Sequence, residues 1–92
     1  MAKSTIHTDI RKHLDAGRAH EAKMQAQQAL KEAPDADLHY LHGLACARLG
    51  EYHHAINAFN HAERLNPDSP AVHAKAMLNE IYAFRNMDMI NP

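Results

Sequence analysis

The chain has 92 residues, one cysteine, and 10 lysines and arginines against 11 aspartates and glutamates. This length predicts one domain with a thin core, because such a chain buries only roughly 60 to 65 % of its unfolded surface. One cysteine excludes an internal disulfide framework, and a formal net charge of −1 argues against a nucleic-acid partner, which would need a clustered basic face.

No apolar run approaches the length that spans a bilayer, and the first residues lack the apolar core of a secretion signal. We therefore expect a cytoplasmic location and no membrane partner.

The first part of the chain predicts two helices. The first is expected to begin at Ser4 or Thr5, whose hydroxyls can cap it, and to end at Gly17. Its apolar residues are four apart: Ile6, Ile10 and Leu14. The second helix is closed by Pro34. The inner side of this second helix consists of Ala22, Ala26, Ala29 and Leu30.

Residues 36–69 carry the strongest pattern in the chain, again that of two helices. Gly43 is small where the first helix must approach its neighbour closely, and Gly50 provides a left-handed cap that ends this helix. The apolar stripe of the second helix is Ala55, Phe59 and Ala62. Pro67 ends it.

The two units are copies of each other. Five residues recur at the same offset of 33 positions: Gly17, Ala22, Ala29, Pro34 and Asp35 return as Gly50, Ala55, Ala62, Pro67 and Asp68. The first copy is degraded, with Ile10 where Gly43 stands and Ala26 where Phe59 stands. Terminal repeats are often atypical because one side faces water.

The order of residues in the second unit resembles a tetratricopeptide repeat. Four residues occupy the family's positions: Gly43, Ala55, Phe59 and Pro67. Three depart from its aromatic, leucine and tyrosine positions: His39, His42 and Cys46. The resemblance implies an all-α protein, a right-handed stack of antiparallel helical hairpins in which the first helix of each repeat lines a concave groove for partner peptides.

A fifth helix follows, with Ser69 as its cap and Pro70 in its first turn. Its predicted inner stripe is Val72, Ala76, Met77, Ile81 and Phe84. We expect one domain of five helices: repeat one at about 3–35, repeat two at 36–69, a capping helix at 69–85 and a non-helical tail at 86–92.

The resemblance and the helical phase together indicate which residues face the groove. These candidates are His7, Arg11, Tyr40, Leu44, Arg48, Leu78 and Tyr82. Aromatic rings, guanidinium groups and apolar surface suit a peptide with an acidic or carboxylate feature. The carboxylate clamp of some family members is not reproduced, because its positions read His7, Arg11 and Leu41. We predict a protein-interaction module.

Catalysis is not predicted, because the chain has no phosphate-binding glycine loop, nucleophile motif or His-Glu-x-x-His sequence. His42 and Cys46 lie one turn apart, but both fall where this family packs one helix on the next. We expect no cofactor.

The nine histidines support an alternative function, a metal- or pH-responsive protein. His39, His42 and Cys46 share one face at ligand spacing, yet a zinc site would need a further ligand from another helix, for which His13 and His73 are the near candidates. Full protonation of the histidines would move the net charge from −1 toward −1 + 9 = +8.

Self-association is also expected. Two repeats and a capping helix are at or below the number that usually closes a repeat core. Three apolar residues fall in the predicted tail: Met87, Met89 and Ile90. We therefore predict a homodimer, formed by stacked terminal repeats or by the tail entering a neighbour's groove.

Overall fold

The computed structural model describes the backbone of residues 2–90 and the side chains of residues 5–81. The five helices are α1 (Ala2–Asp15), α2 (Ala19–Glu32), α3 (Ala36–Arg48), α4 (Tyr52–Leu65) and α5 (Ala71–Ile90). Each helix packs on its neighbours in the chain, and α3 contacts all four others. Residues 2–90 contain no strand. The predicted all-α class with five helices is confirmed.

The two interhelical turns have the same backbone conformation. Gly17 and Gly50 both have a φ of +79°, the left-handed region that favours glycine. In each turn the amide after the glycine donates to a carbonyl five residues earlier: Arg18 to His13 at 2.8 Å, and Glu51 to Cys46 at 2.9 Å. This is how a left-handed glycine satisfies the last carbonyls of a helix. The 33-residue repeat therefore extends to the backbone hydrogen bonds.

Side-chain caps position the starts of α3 and α5. Asp35 Oδ1 accepts a hydrogen bond from the Leu38 amide at 2.7 Å. Ser69 Oγ accepts one from the Ala71 amide at 3.1 Å, which confirms the predicted cap. The predicted start of α1 is wrong, because the helix begins at Ala2 and both Ser4 and Thr5 lie inside it. Alanine and lysine at positions 2 and 3 are good helix formers.

The core consists of two clusters that meet at α3. The first joins α1, α2 and α3 through Ile10, Leu14, Ala22, Ala26, Ala29, Leu38, Leu41 and Ala45. The second joins α3, α4 and α5 through Cys46, Ala55, Phe59, Ala62, Ala71 and Leu78. Tyr40 and Leu44 pack against both clusters. The central helix α3 therefore couples the two repeats.

Gly43 is in close contact with α4. A Cβ atom added at this position would lie too near Phe59 Cε1 for any real contact. The predicted close approach is confirmed, and it presses the ring of Phe59 against the backbone of α3.

The last helix differs from the prediction in length and in orientation. It continues to Ile90, so the non-helical tail predicted from Asn86 is wrong for residues 86–90. The sequence contains neither glycine nor proline from position 71 to 90, so nothing interrupts the helix.

The predicted inner stripe of α5 is also wrong. Among its described side chains, Ala71 and Leu78 are buried, whereas Met77 is 65 % exposed and Ile81 is 49 % exposed. Val72 is half-buried, Ala76 is exposed, and the Phe84 side chain lies outside the described residues. Apolar residues surround most of this helix, so periodicity offered two possible inner faces, and the contacts with α3 and α4 select the one centred on Ala71, Ala74 and Leu78.

Candidate functional site: an apolar crevice between α3 and α5

An apolar crevice lies between α3 and α5. It has a volume of about 190 Å³. Its lining residues come from three helices: Leu44 and Ala47 of α3, Phe59 of α4, and Ala74, Met77, Leu78 and Ile81 of α5. Because the lining is apolar side-chain carbon, the crevice can accept an aliphatic or aromatic side chain and offers no polar partner for a catalytic step.

Local sequence features explain how the walls are placed. Gly43 lets Phe59 approach α3, and the Ser69 cap sets the start of α5 so that Leu78 comes next to the second core cluster. The ring of Tyr40 lies 6.2 Å from that of Phe59, measured between centroids. Tyr40 and Leu44 are one helical turn apart, so they share one face of α3.

Three of the predicted groove residues thus come together. Tyr40 and Leu44 are half-buried and both pack against the second core cluster. Leu78 is only 6 % exposed, so it forms a wall of the crevice and not an open contact surface.

The other predicted groove residues are placed differently. The Arg48 guanidinium donates from Nη1 to the Leu14 carbonyl at the end of α1. The His7 imidazole lies 3.3 Å from Oδ2 of Asp35, the residue that caps α3. Arg11 is exposed on α1. The Tyr82 side chain lies outside the described residues.

Arg48 and His7 therefore take part in contacts between the two repeats. Arg48 joins the end of α3 to the end of α1, and His7 joins α1 to the start of α3. The prediction that both face the groove as recognition groups did not anticipate these intramolecular partners.

Five lining residues were not predicted as groove positions: Ala47, Phe59, Ala74, Met77 and Ile81. Met77 and Ile81 had been placed in the core. The available signal was Leu78. Ala74 lies four positions before it and Ile81 three positions after it, and residues at these spacings share a helix face.

The pair formed by His42 and Cys46 is packed inside the hairpin of α3 and α4. Cys46 Sγ lies 3.6 Å from His42 Nε2, and Cys46 is fully buried. Burial raises the pKa of the Cys46 thiol, so the sulfur stays protonated at neutral pH. A protonated buried thiol is a poor nucleophile.

The described part of the chain offers neither a metal centre nor a membrane span. Within it, no three side chains of histidine, cysteine, aspartate or glutamate are grouped so that they could hold one metal ion. None of its helices combines the length and hydropathy that a bilayer-spanning segment requires.

Comparison with known protein families assigns the central part of the chain. Residues 36–69 match the family described as tetratricopeptide repeat. Comparisons with curated proteins and with solved structures gave no match. The matched range holds α3, α4 and the cap of α5, and α1 and α2 repeat its glycine turn. The match at residues 36–69 and the five-helix fold are consistent with a tetratricopeptide-like protein.

Proposed function

We propose that this protein binds a partner protein by holding a peptide segment along α1, α3 and α5, with one apolar side chain of the peptide in the crevice between α3 and α5. The crevice is the observation that supports this proposal. It opens between the first helix of the matched repeat and the helix that follows that repeat, and Met77 and Ile81 keep large apolar surface exposed at its rim.

The chemistry of the crevice favours an aliphatic or aromatic anchor residue. Its walls include Leu44, Leu78 and the ring of Phe59. Burial of one such side chain contributes roughly 1.5 to 3 kcal/mol. That free energy corresponds to about a ten- to hundredfold gain in affinity. A single anchor therefore gives selectivity among peptides, and the rest of the affinity comes from contacts along the helices.

Arg11 supports a preference for an acidic residue elsewhere in the bound peptide. It is exposed on α1, whereas the guanidinium of Arg48 already donates to the Leu14 carbonyl. An exposed ion pair contributes only about 0.2 to 1 kcal/mol, so the acidic feature modulates binding and the apolar anchor dominates it.

In this proposal the protein is an adaptor in the cytoplasm, with no catalytic role and no cofactor. The tetratricopeptide repeat is an interaction motif, and the family match at residues 36–69 supports a protein or peptide ligand.

A second copy of the chain is the competing occupant of the crevice. Exposed Met77 and Ile81 on the last helix could pack against another molecule, which keeps the homodimer as a proposal. The predicted tail contact involves Met87, Met89 and Ile90, whose side chains lie outside the described residues.

A peptide library displayed on phage, selected against the full chain, tests the proposed function. Peptides that bind are then titrated calorimetrically against the wild type, Met77→Glu and a matched control, Met24→Glu. Met24 is 58 % exposed on α2 and is a methionine of similar exposure away from the crevice.

We expect the selected peptides to share an apolar anchor, and their affinity to fall at least tenfold for Met77→Glu while staying within twofold for Met24→Glu. Equal binding by all three proteins would place the ligand on another face. Light scattering on the same samples tests for the competing occupant. A dimer that is lost in Met77→Glu and kept in Met24→Glu means that a second copy fills the crevice.

A further inference from the structure

Two imidazole rings face each other across the hairpin of α3 and α4. The ring of His39 on α3 stacks on that of His61 on α4, with centroids 5.0 Å apart and an interplanar angle of 27°. His39 is half-buried and His61 is exposed. Stacked neutral imidazoles attract each other by dispersion, whereas two imidazolium ions at this distance repel each other.

A third imidazole, that of His42, lies one turn further along α3. It is half-buried, and its Nε2 atom is 3.6 Å from Cys46 Sγ. Because the buried thiol keeps its proton, it is the donor, and the imidazole nitrogen has to accept. Only a neutral histidine has a ring nitrogen that accepts, so protonation of His42 abolishes this contact.

The charged groups around these rings disfavour protonation of the imidazoles on balance. Lys23 of α2 and His54 of α4 are the cationic or titratable neighbours of His42, together with His39 on its own helix. Two carboxylates oppose them: Glu51 beside His42, and Asp35 beside His39.

Both of these carboxylates are already engaged. Glu51 Oε1 accepts from Lys23 Nζ at 2.5 Å, and Glu51 also interacts with His20 and His54. Asp35 caps α3 and contacts His7. Protonation at His39 and His42 therefore adds positive charge where the nearby negative charge already has partners.

We propose that the hairpin of α3 and α4 is an acid-sensitive element, held closed by the stacking of His39 on His61 and by the contact of neutral His42 with Cys46, and loosened when His39 and His42 take up protons. This hairpin contains Phe59 and supports the crevice, so loosening it dismantles the matched repeat. The proposal does not depend on the ligand of the crevice.

The electrostatics agree with this geometry. Burial lowers the pKa of His39, and the neighbouring His61 lowers it further, while Asp35 acts in the opposite direction. Burial also lowers the pKa of His42, with additional lowering from Lys23, His39 and His54, against the effect of Glu51.

The sign of the pH dependence follows from these directions. A histidine whose pKa is lower in the folded chain than in the unfolded chain takes up a proton on unfolding. The stabilisation is present at neutral pH and is lost as the pH falls below the unfolded value of about 6.5 toward the lower folded values. The pKa of Glu51 is lowered from its ordinary 4.5 by the hydrogen bond from Lys23. Its contribution to folding stability is therefore lost only in more acidic solution than that of the histidines.

Equilibrium unfolding of the full chain in urea, followed by circular dichroism at pH 7.5 and pH 5.5, tests the proposal. The proteins are the wild type, His39→Gln, His61→Gln, the double variant, and His73→Gln as a control. His73 is exposed on α5 and is outside the stacked pair.

For the wild type and for His73→Gln we expect the folding equilibrium constant to fall on the order of ten- to hundredfold between the two pH values. For the double variant we expect the part of this dependence that comes from the stacked pair to disappear, because glutamine does not titrate, and the part that comes from His42 to remain. A wild-type stability that is equal at both pH values, or a double variant with the full wild-type pH dependence, would overturn the proposal.

Should the double variant fail to fold, titration of the histidine C–H signals of the wild-type protein by NMR decides the question. We expect the signals of His39 and His42 to titrate below the value of about 6.5 found in unfolded peptides. Titration of both at or above that value would contradict the proposal.

Discussion

Repeat one (α1 and α2) and repeat two (α3 and α4) share the same turn but fill the space between their helices in opposite ways. In repeat two, Gly43 on the first helix leaves room for Phe59 on the second. In repeat one, Ile10 stands on the first helix and Ala26 on the second, and both are fully buried. The large residue has changed sides. What looks like a degraded copy in the sequence is a compensated exchange of volume, because close packing constrains the pair and not each residue alone.

The two repeats also differ in the polarity of their interhelical contacts. Counted back by 33 positions, His39 corresponds to Ile6, and Cys46 corresponds to His13. Ile6 packs against the first core cluster as an apolar residue, whereas His39 stacks on His61. Acid sensitivity is therefore expected to reside in repeat two, while repeat one is held mainly by aliphatic packing.

Phe59→Ala is the substitution with the largest expected effect on stability. Phe59 is the large member of its pair and is among the largest fully buried side chains of the described residues. With glycine facing it, nothing can fill the cavity, so we expect a loss of about 3 to 5 kcal/mol in the free energy of unfolding. Urea denaturation measures it, and a variant with the wild-type midpoint would refute the assigned packing.

Gly43→Ala tests the other member of the same packed pair. The added methyl would meet the buried ring of Phe59, and such overpacking costs about 1 to 3 kcal/mol. The higher helix propensity of alanine offsets up to about 1 kcal/mol of this cost. We expect a net destabilisation.

The double variant Gly43→Ala, Phe59→Leu is the control for this reading. It should be more stable than the sum of the two single changes predicts, because a smaller side chain makes room for the methyl group. Strict additivity in denaturation experiments would mean that the two positions do not share one space.

The smallest expected effect concerns the link between the repeats. Arg48→Ala removes the donor to the Leu14 carbonyl and should cost about 0.5 to 1.5 kcal/mol. The control Arg11→Ala, at an exposed position of α1, should stay within about 0.5 kcal/mol of the wild type. Equal melting temperatures for the two variants would show that the contact of Arg48 does not stabilise the stack.

Features that depend on the local chain could be predicted from the sequence. The left-handed turns need glycine at positions 17 and 50, and the Ser69 hydroxyl lies next to the amides that it caps. The apolar stripes of α1, α2 and α4 were also readable, because the buried residues of each helix recur at three- and four-residue spacings. These signals lie within a few residues of one another, and they determined the all-α class, the five helices and the internal repeat.

The tertiary structure decided the features that join distant residues. The inner face of α5 was chosen by its contacts with α3 and α4, since apolar residues occur around most of the helix. The partner of Arg48 is a backbone carbonyl 34 positions away, and every residue has such a carbonyl, so no sequence pattern marks it. The crevice and the stacking of His39 on His61 likewise exist only once the helices are packed, because each is formed by side chains of separate helices. Sequence periodicity does not determine how those helices are rotated relative to one another.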